Sequence, residues 1–264
     1  MFRNLLLITL GAVLIFLAFH TNAKLDSEPS PNGPSGTELV DPEMAPAENR
    51  NQVVFGFKIL LETKKILPEY AGDTISCTNC HFSAGNSFGG RNNGISLVGV
   101  TKHYPKKLPN GGSFTLADRI NGCFERSMNG KPLPTNSKEM EAMLAYLEWI
   151  STPVIYLPKA PWLGLPKIES NHIPNPEKGG ELFALHCAEC HGTHGQGQQR
   201  EDDLSYPPLW GTESFNNAAG MNNISMLAPF IYLNMPYEDA TLTEEEALDI
   251  AAFVISQPRP TKEN

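Results

Sequence analysis

Apolar residues recur at helical rather than strand spacing along most of this 264-residue chain. From Asn51 on, Val53, Val54, Phe57, Ile59, Leu60 and Leu61 form a helical pattern that Leu67-Pro68 interrupts. Met140, Met143, Leu144, Leu147 and Ile150 stand at i, i+3, i+4, i+7 and i+10, which predicts an amphipathic helix over residues 138–151, ended by Pro153. Pro176 opens a further helix carrying Gly180 and Phe183. Residues 243–256 predict a last one, with Thr243 and Glu246 as a capping box and Pro258 as the stop. Between helices the chain is rich in turn formers, and the Gly- and Asn-rich residues 83–94 cannot form regular structure. Six prolines, at 153, 158, 161, 166, 174 and 176, mark a connection between two halves, and Trp162 with its aliphatic neighbours predicts that this connection packs on the folded parts.

The first residues follow another pattern. After Arg3, residues 5–19 are apolar apart from Thr9 and Gly11, the length of a signal-peptide core and short for a membrane span. Thr21-Asn22-Ala23 offers a small residue at an imperfect cleavage point, so residues 1–23 are read as an export signal, or else a retained anchor. Residues 24–50, rich in Pro, Ser, Asn and Glu, are read as a tether. The folded body then comprises residues 51–152, the connection 153–176 and residues 177–258, outside the cytoplasm and, in a bacterium, in the periplasm. Its charge is acidic: the formal net charge of −9 becomes −10 once Arg3 is removed, which argues against nucleic acid and anionic membrane surfaces as partners. A membrane enters only if the N-terminal segment is retained.

Four of the five cysteines lie in two copies of one motif, Cys77-Thr78-Asn79-Cys80-His81 and Cys187-Ala188-Glu189-Cys190-His191, 110 residues apart. C-x-x-C-H is the attachment signature of c-type haem: two thiols take the two vinyl groups of one porphyrin and the adjacent imidazole takes the iron. Zinc would ordinarily space its C-x-x-C pairs about 15–20 residues apart, and a redox dithiol explains neither histidine. Each motif sits between an N-terminal and a C-terminal helix. The prediction is an all-α protein of two tandem class I cytochrome c-like domains, each enclosing one covalent haem c, with iron held by His81 and His191.

The sixth iron position separates a carrier from a catalyst. In the second half Met235-Pro236 lies 44 residues after His191, in the loop before the final helix where small cytochromes c present a thioether; Met221, Met226 and His194 are its rivals. The first half has no methionine followed by proline in the equivalent loop. Met128 and His103 are candidates there, while Met140 and Met143 read as helix core. The fifth cysteine, Cys123, lies 42 residues after His81, close to the offset of Met235. A lone buried cysteine is ordinarily a small apolar residue. Here Arg119 and Arg126 flank it, and positive charge beside sulfur suits both an iron ligand and a nucleophile. Residues 101–131 hold six cations against two carboxylates within this acidic chain, which fits either a face for docking an acidic partner or a pocket for a small dianion beside the haem.

The run Arg119-Ile120-Asn121-Gly122-Cys123-Phe124-Glu125-Arg126-Ser127-Met128-Asn129-Gly130, together with Pro208-Leu209-Trp210-Gly211, Ser214-Phe215-Asn216 and Asn234-Met235-Pro236, resembles the dihaem thiosulfate dehydrogenase family over roughly residues 50–260. It is more distantly similar to the haem-binding A subunit of the sulfur-oxidising multienzyme system. The resemblance implies oxidation of two thiosulfates to tetrathionate, possibly reversible, with electrons passing from the first haem through the second to an external cytochrome or high-potential redox protein. It further implies that Cys123 ligates the first iron and carries a sulfane adduct, that Arg119, Arg126 and Ser127 hold sulfonate oxygens, and that His191 and Met235 serve an exit relay. Where some members have a lysine before the methionine this chain has Asn234, a poor iron ligand, so no ligand exchange, or a weaker one, is expected. The alternatives from residues alone are a non-enzymatic dihaem carrier with a structural Cys123, or a cytochrome subunit of a larger sulfur-oxidising or respiratory complex.

Overall fold

A computed structural model describes residues 39–199 and 205–262, all within one unit spanning Pro31–Asn264. The expected export signal, residues 1–23, and the first part of the expected tether lie outside the described residues. Among the described residues no helix is long and apolar enough to cross a membrane.

Each half is built on a crossed pair of helices. In the first, α1 (Arg50–Leu61) packs on α4 (Lys138–Ser151); in the second, α5 (Pro176–His186) packs on α8 (Glu244–Ser256). Both crossings use glycine. A Cβ at Gly56 would lie 2.1 Å from Ala142 O, and one at Gly179 would lie 2.0 Å from Asp249 O, so backbone meets backbone where any side chain would hold the helices apart. Around the first crossing Val53, Ile59, Met140, Tyr146 and Ile150 are buried; around the second, Phe183, Ala247, Ile250 and Val254. Between the paired helices lie α2 (Thr63–Ile66) and α3 (Leu116–Arg126) in the first half, and α6 (Ala188–His191) and α7 (Ile224–Asn234) in the second. Among the described residues, strand is confined to two antiparallel two-residue ladders, β1 (Lys106–Lys107) with β2 (Ser113–Phe114) and β3 (Gln198–Gln199) with β4 (Ser205–Tyr206).

The helix expected over residues 138–151 has those bounds. The last helix starts at Glu244, with Thr243 as its N-cap and Glu246 closing the capping box. One expectation needs correction. The tether was expected to run to residue 50, but from Leu39 the chain is strapped to the first half. Leu39 N–H donates to Asn86 O at 3.1 Å, Trp149 Nε1–H donates to Asp41 O at 3.2 Å, and Ala45 is fully buried. A short apolar anchor in a polar stretch carries too little periodicity to be seen in sequence. The halves interlock across the proline-rich connection: Phe215 and Ala219, from the second half, are buried in the first half's core. The connection itself packs as expected: Trp162 donates its Nε1–H to Val98 O at 2.8 Å and meets Phe88 edge-on.

Candidate haem and sulfur site

The first motif begins at the 3-10 turn Cys77–Asn79, capped by Ser76, whose N–H donates to Asn79 Oδ1 at 2.7 Å. Buried Thr63, at the start of α2, fixes the turn by accepting the Cys77 N–H at 3.0 Å. The second motif runs through α6. In both, the histidine Nδ1 donates to a backbone carbonyl: His81 to Ile95 O at 2.8 Å and His191 to Pro207 O at 2.9 Å. A carbonyl can only accept, so the proton is on Nδ1 and the Nε2 lone pair is left for a metal. Burial holds His81 down to about 4 and lowers His191, each opposed by its carbonyl bond, so both rings are neutral near pH 7. Burial likewise pushes the Cys77, Cys80 and Cys187 thiols up to about 12, an environment that suits an uncharged thioether.

A cavity of about 280 Å³ fits the macrocycle these motifs call for. Its walls are mainly apolar, including Phe183, Leu227, Ile231 and Val254, and it is lined by Cys187, Cys190, His191 and Met235. Ile75, Cys80 and Phe82 of the first half line the same space, so it reaches both motifs. Met221 also borders it, whereas Met226 does not and His194 is exposed.

In the first half the residue brought to the motif is Cys123, near enough for its charge to act on Cys77 and Cys80. Met128 is instead buried in the core, Met140 and Met143 are core as expected, and His103 is exposed. Cys123 lies on α3, whose N-terminus Thr115 and Asp118 cap reciprocally. Arg119, Cys123 and Arg126 stand at i, i+4 and i+7 and so share one face. Arg119 Nη1 donates to Cys123 Sγ at 2.8 Å, and the sulfur in turn raises the pKa of that guanidinium. Arg126 folds back over Gly122, where a Cβ would lie 2.7 Å from Nη2, so the glycine leaves room for its guanidinium. Ser127, the C-cap, donates its N–H to Cys123 O at 2.8 Å.

Sequence reasoning assigned no role to Asn216, although it stands in one of the recognised runs. Buried in the structure, Asn216 donates its backbone N–H to Arg126 O at 3.1 Å. Its Nδ2 donates to Glu125 O at 2.8 Å and Asn129 Oδ1 at 3.1 Å, so the second half grips the end of α3. Asp73 was also missed: it is buried, within electrostatic reach of Cys80, and pushed up to about 7 by burial.

The comparisons agree with this layout. The family description "SoxA/TsdA, cytochrome c domain" matches residues 69–154 and "Cytochrome c" matches residues 176–258. The chain is 36% identical over 244 residues to the thiosulfate dehydrogenase of Psychrobacter arcticus, covering 90% of this chain and 71% of that protein. It is 36% identical over 211 residues to that of Allochromatium vinosum, covering 79% and 78%. Among solved structures, the "as isolated" thiosulfate dehydrogenase (TsdBA) of Marichromatium purpuratum matches with TM-score 0.75 and 29% identity over 85% of this chain, which spans 50% of that one. Two all-α cytochrome c domains carry with them covalently bound haem c. With 36% identity across more than two thirds of its relatives' length, the chain is a c-type cytochrome that belongs to the thiosulfate dehydrogenase family.

Proposed function

We propose that this protein is a periplasmic thiosulfate dehydrogenase that joins two thiosulfates into tetrathionate and passes the two electrons to an external redox protein. The observation that carries the reading is Arg119 bonded to Cys123 Sγ, next to the first haem motif. Two haems c, which Cys77 and Cys80 and then Cys187 and Cys190 would bind, would supply one-electron acceptors. His81 and Cys123 would hold the iron of the first, His191 and Met235 that of the second.

The chain's own residues perform the sulfur chemistry. Arg119 and Arg126 hold sulfonate oxygens by charge-assisted bonds, Ser127 adds a donor, and the Cys123 sulfur is presented between them. Loss of two electrons joins the Cys123 thiolate to the sulfane sulfur of one thiosulfate. The sulfane sulfur of a second thiosulfate then attacks the adduct, a new S–S bond forms as the Cys–S bond breaks, and tetrathionate leaves with the Cys123 thiolate restored. The cavity shared by both motifs supports electron passage from the first centre to the second, from which an acceptor cytochrome or another high-potential protein takes them. Export rests on the apolar residues 5–19.

Two measurements test this. A haem assay with intact mass should count two haems per chain, and a colourless product of a cytochrome-maturing host would defeat the reading. Cys123→Gly should lose both the low-spin paramagnetic signal of thiolate ligation and thiosulfate-dependent reduction of an acceptor; full turnover in that variant would refute Cys123 as the sulfur-carrying residue, and an unaltered protein that reduces no acceptor with thiosulfate would be a non-enzymatic carrier.

A further inference from the structure

The glycine-rich loop of the first half is gripped by the second half around the end of α7. Asn92 N–H donates to Leu233 O at 3.0 Å, Arg91 Nη1 donates to Ala240 O, and the Arg91 guanidinium lies over the Tyr232 ring. At the centre of this clasp is Asn234, fully buried, with both ends of its amide engaged. Oδ1 accepts the Gly94 N–H at 2.8 Å and Nδ2 donates to Phe230 O at 3.0 Å. One partner can only donate and the other only accept, so the amide has a single orientation. Gly94 has φ +65° and no space for a side chain: a Cβ would lie 2.7 Å from both Cys80 O and Phe82 N. The loop is therefore held between the backbone of the first haem motif and Asn234.

The residues on either side of this bond belong to the two centres. Ile95, next to Gly94, donates its N–H to Cys80 O at 2.9 Å and accepts the His81 Nδ1 proton. Met235 follows Asn234 and lines the cavity with His191. One side-chain hydrogen bond thus joins the neighbour of Ile95, which orients the first imidazole, to the residue before the second sulfur.

We propose that Asn234 is a positioning residue for both haem centres at once, tying the orientation of His81 to that of Met235. The inference rests on the axial ligands assigned above. A buried backbone donor deprived of its acceptor must find another or move, so truncating Asn234 releases Gly94, Ile95 and with them the imidazole.

The test uses the haem-loaded protein with Asn234→Ala, Asn234→Asp and Met235→Leu. It reads the far-red charge-transfer band of methionine-ligated ferric haem and the paramagnetic signal of the thiolate-ligated first centre. Asn234→Ala should weaken the band and shift the g values of the first centre together, whereas Met235→Leu should abolish the band and leave the first centre unmoved. Asn234→Asp still offers an oxygen to Gly94 but sets it against Phe230 O, so it should disturb the band alone. An unmoved first-centre signal in Asn234→Ala overturns the inference. If that variant does not accumulate, a shifted first-centre signal with an intact band in Asn234→Asp overturns it as well. Absence of the band from the unaltered protein would remove Met235 as a ligand and the inference with it, which distinguishes the two failures.

Discussion

His81 and His191 meet one requirement with the same device: a buried ring kept neutral, its Nδ1 proton tied to a carbonyl, its Nε2 free. Asp73 has the opposite history, a carboxylate forced into the interior. Ile75 N–H donates to Oδ1 at 2.9 Å and Lys64 is the cation that opposes the effect, yet Oδ2 is buried without a partner and burial lifts the carboxyl from 3.8 to about 7. The folded protein keeps a proton there that the unfolded chain releases, so between about pH 4 and pH 7 this group makes stability fall as pH rises, and the loss is complete above its folded pKa. Asp73→Asn removes the titration while keeping an acceptor for Ile75. At about pH 8 it should be more stable than the parent by up to about 4 kcal/mol, with the difference closing toward pH 4. Paired unfolding midpoints at both pH values check this, and a pH-independent difference would refute it.

The helix pairs decide how closely each half closes around its motif. At Gly56 and Gly179 the crossing leaves no volume for even a methyl group without displacing a partner backbone carbonyl. Gly56→Val and Gly179→Val should each lower stability by about 2 kcal/mol or more through overpacking and a widened crossing. Thermal unfolding of the haem-loaded protein reports the loss, and hydrogen exchange should locate it in α1 and α4 for the first variant and in α5 and α8 for the second. Helix α3 has different work. Its reciprocal cap at Thr115 and Asp118 fixes where it starts, and Asn216 fixes where it ends, so Arg119, Cys123 and Arg126 are presented on a helix anchored at both ends.

The two halves are interlocked rather than merely adjacent. Phe215 carries the second half's chain into the first half's core, with the Arg259 guanidinium stacked 4.3 Å from its ring centroid, and Lys262 pairs with Glu125 of α3 at 3.3 Å. Phe215→Ala should therefore destabilise the first half by about 3–5 kcal/mol although the residue belongs to the second. Amide exchange faster in α3 and α4 than in α5 and α8 would show it; a loss confined to the second half would contradict it. The same interlocking leaves one apolar cavity bordered by Cys80 and by Cys187, Cys190, His191 and Met235.

Much of this was legible in local pattern. The bounds of α4 and α8 follow from periodicity and caps, the two motifs state their own chemistry, and the spacing from His81 to Cys123 singled out the fifth cysteine, because each of these is a relation between residues close in the chain. Gly56 against Ala142, Asn216 at the end of α3 and Asn234 on Gly94 were not legible, since their partners lie 86 positions or more away, and Phe215 gave no sign that it would enter the other half's core. Burial is the physical reason. A polar amide or a bare glycine has no periodicity of its own to announce a role, and it acquires one only when folding brings it a partner that water can no longer replace.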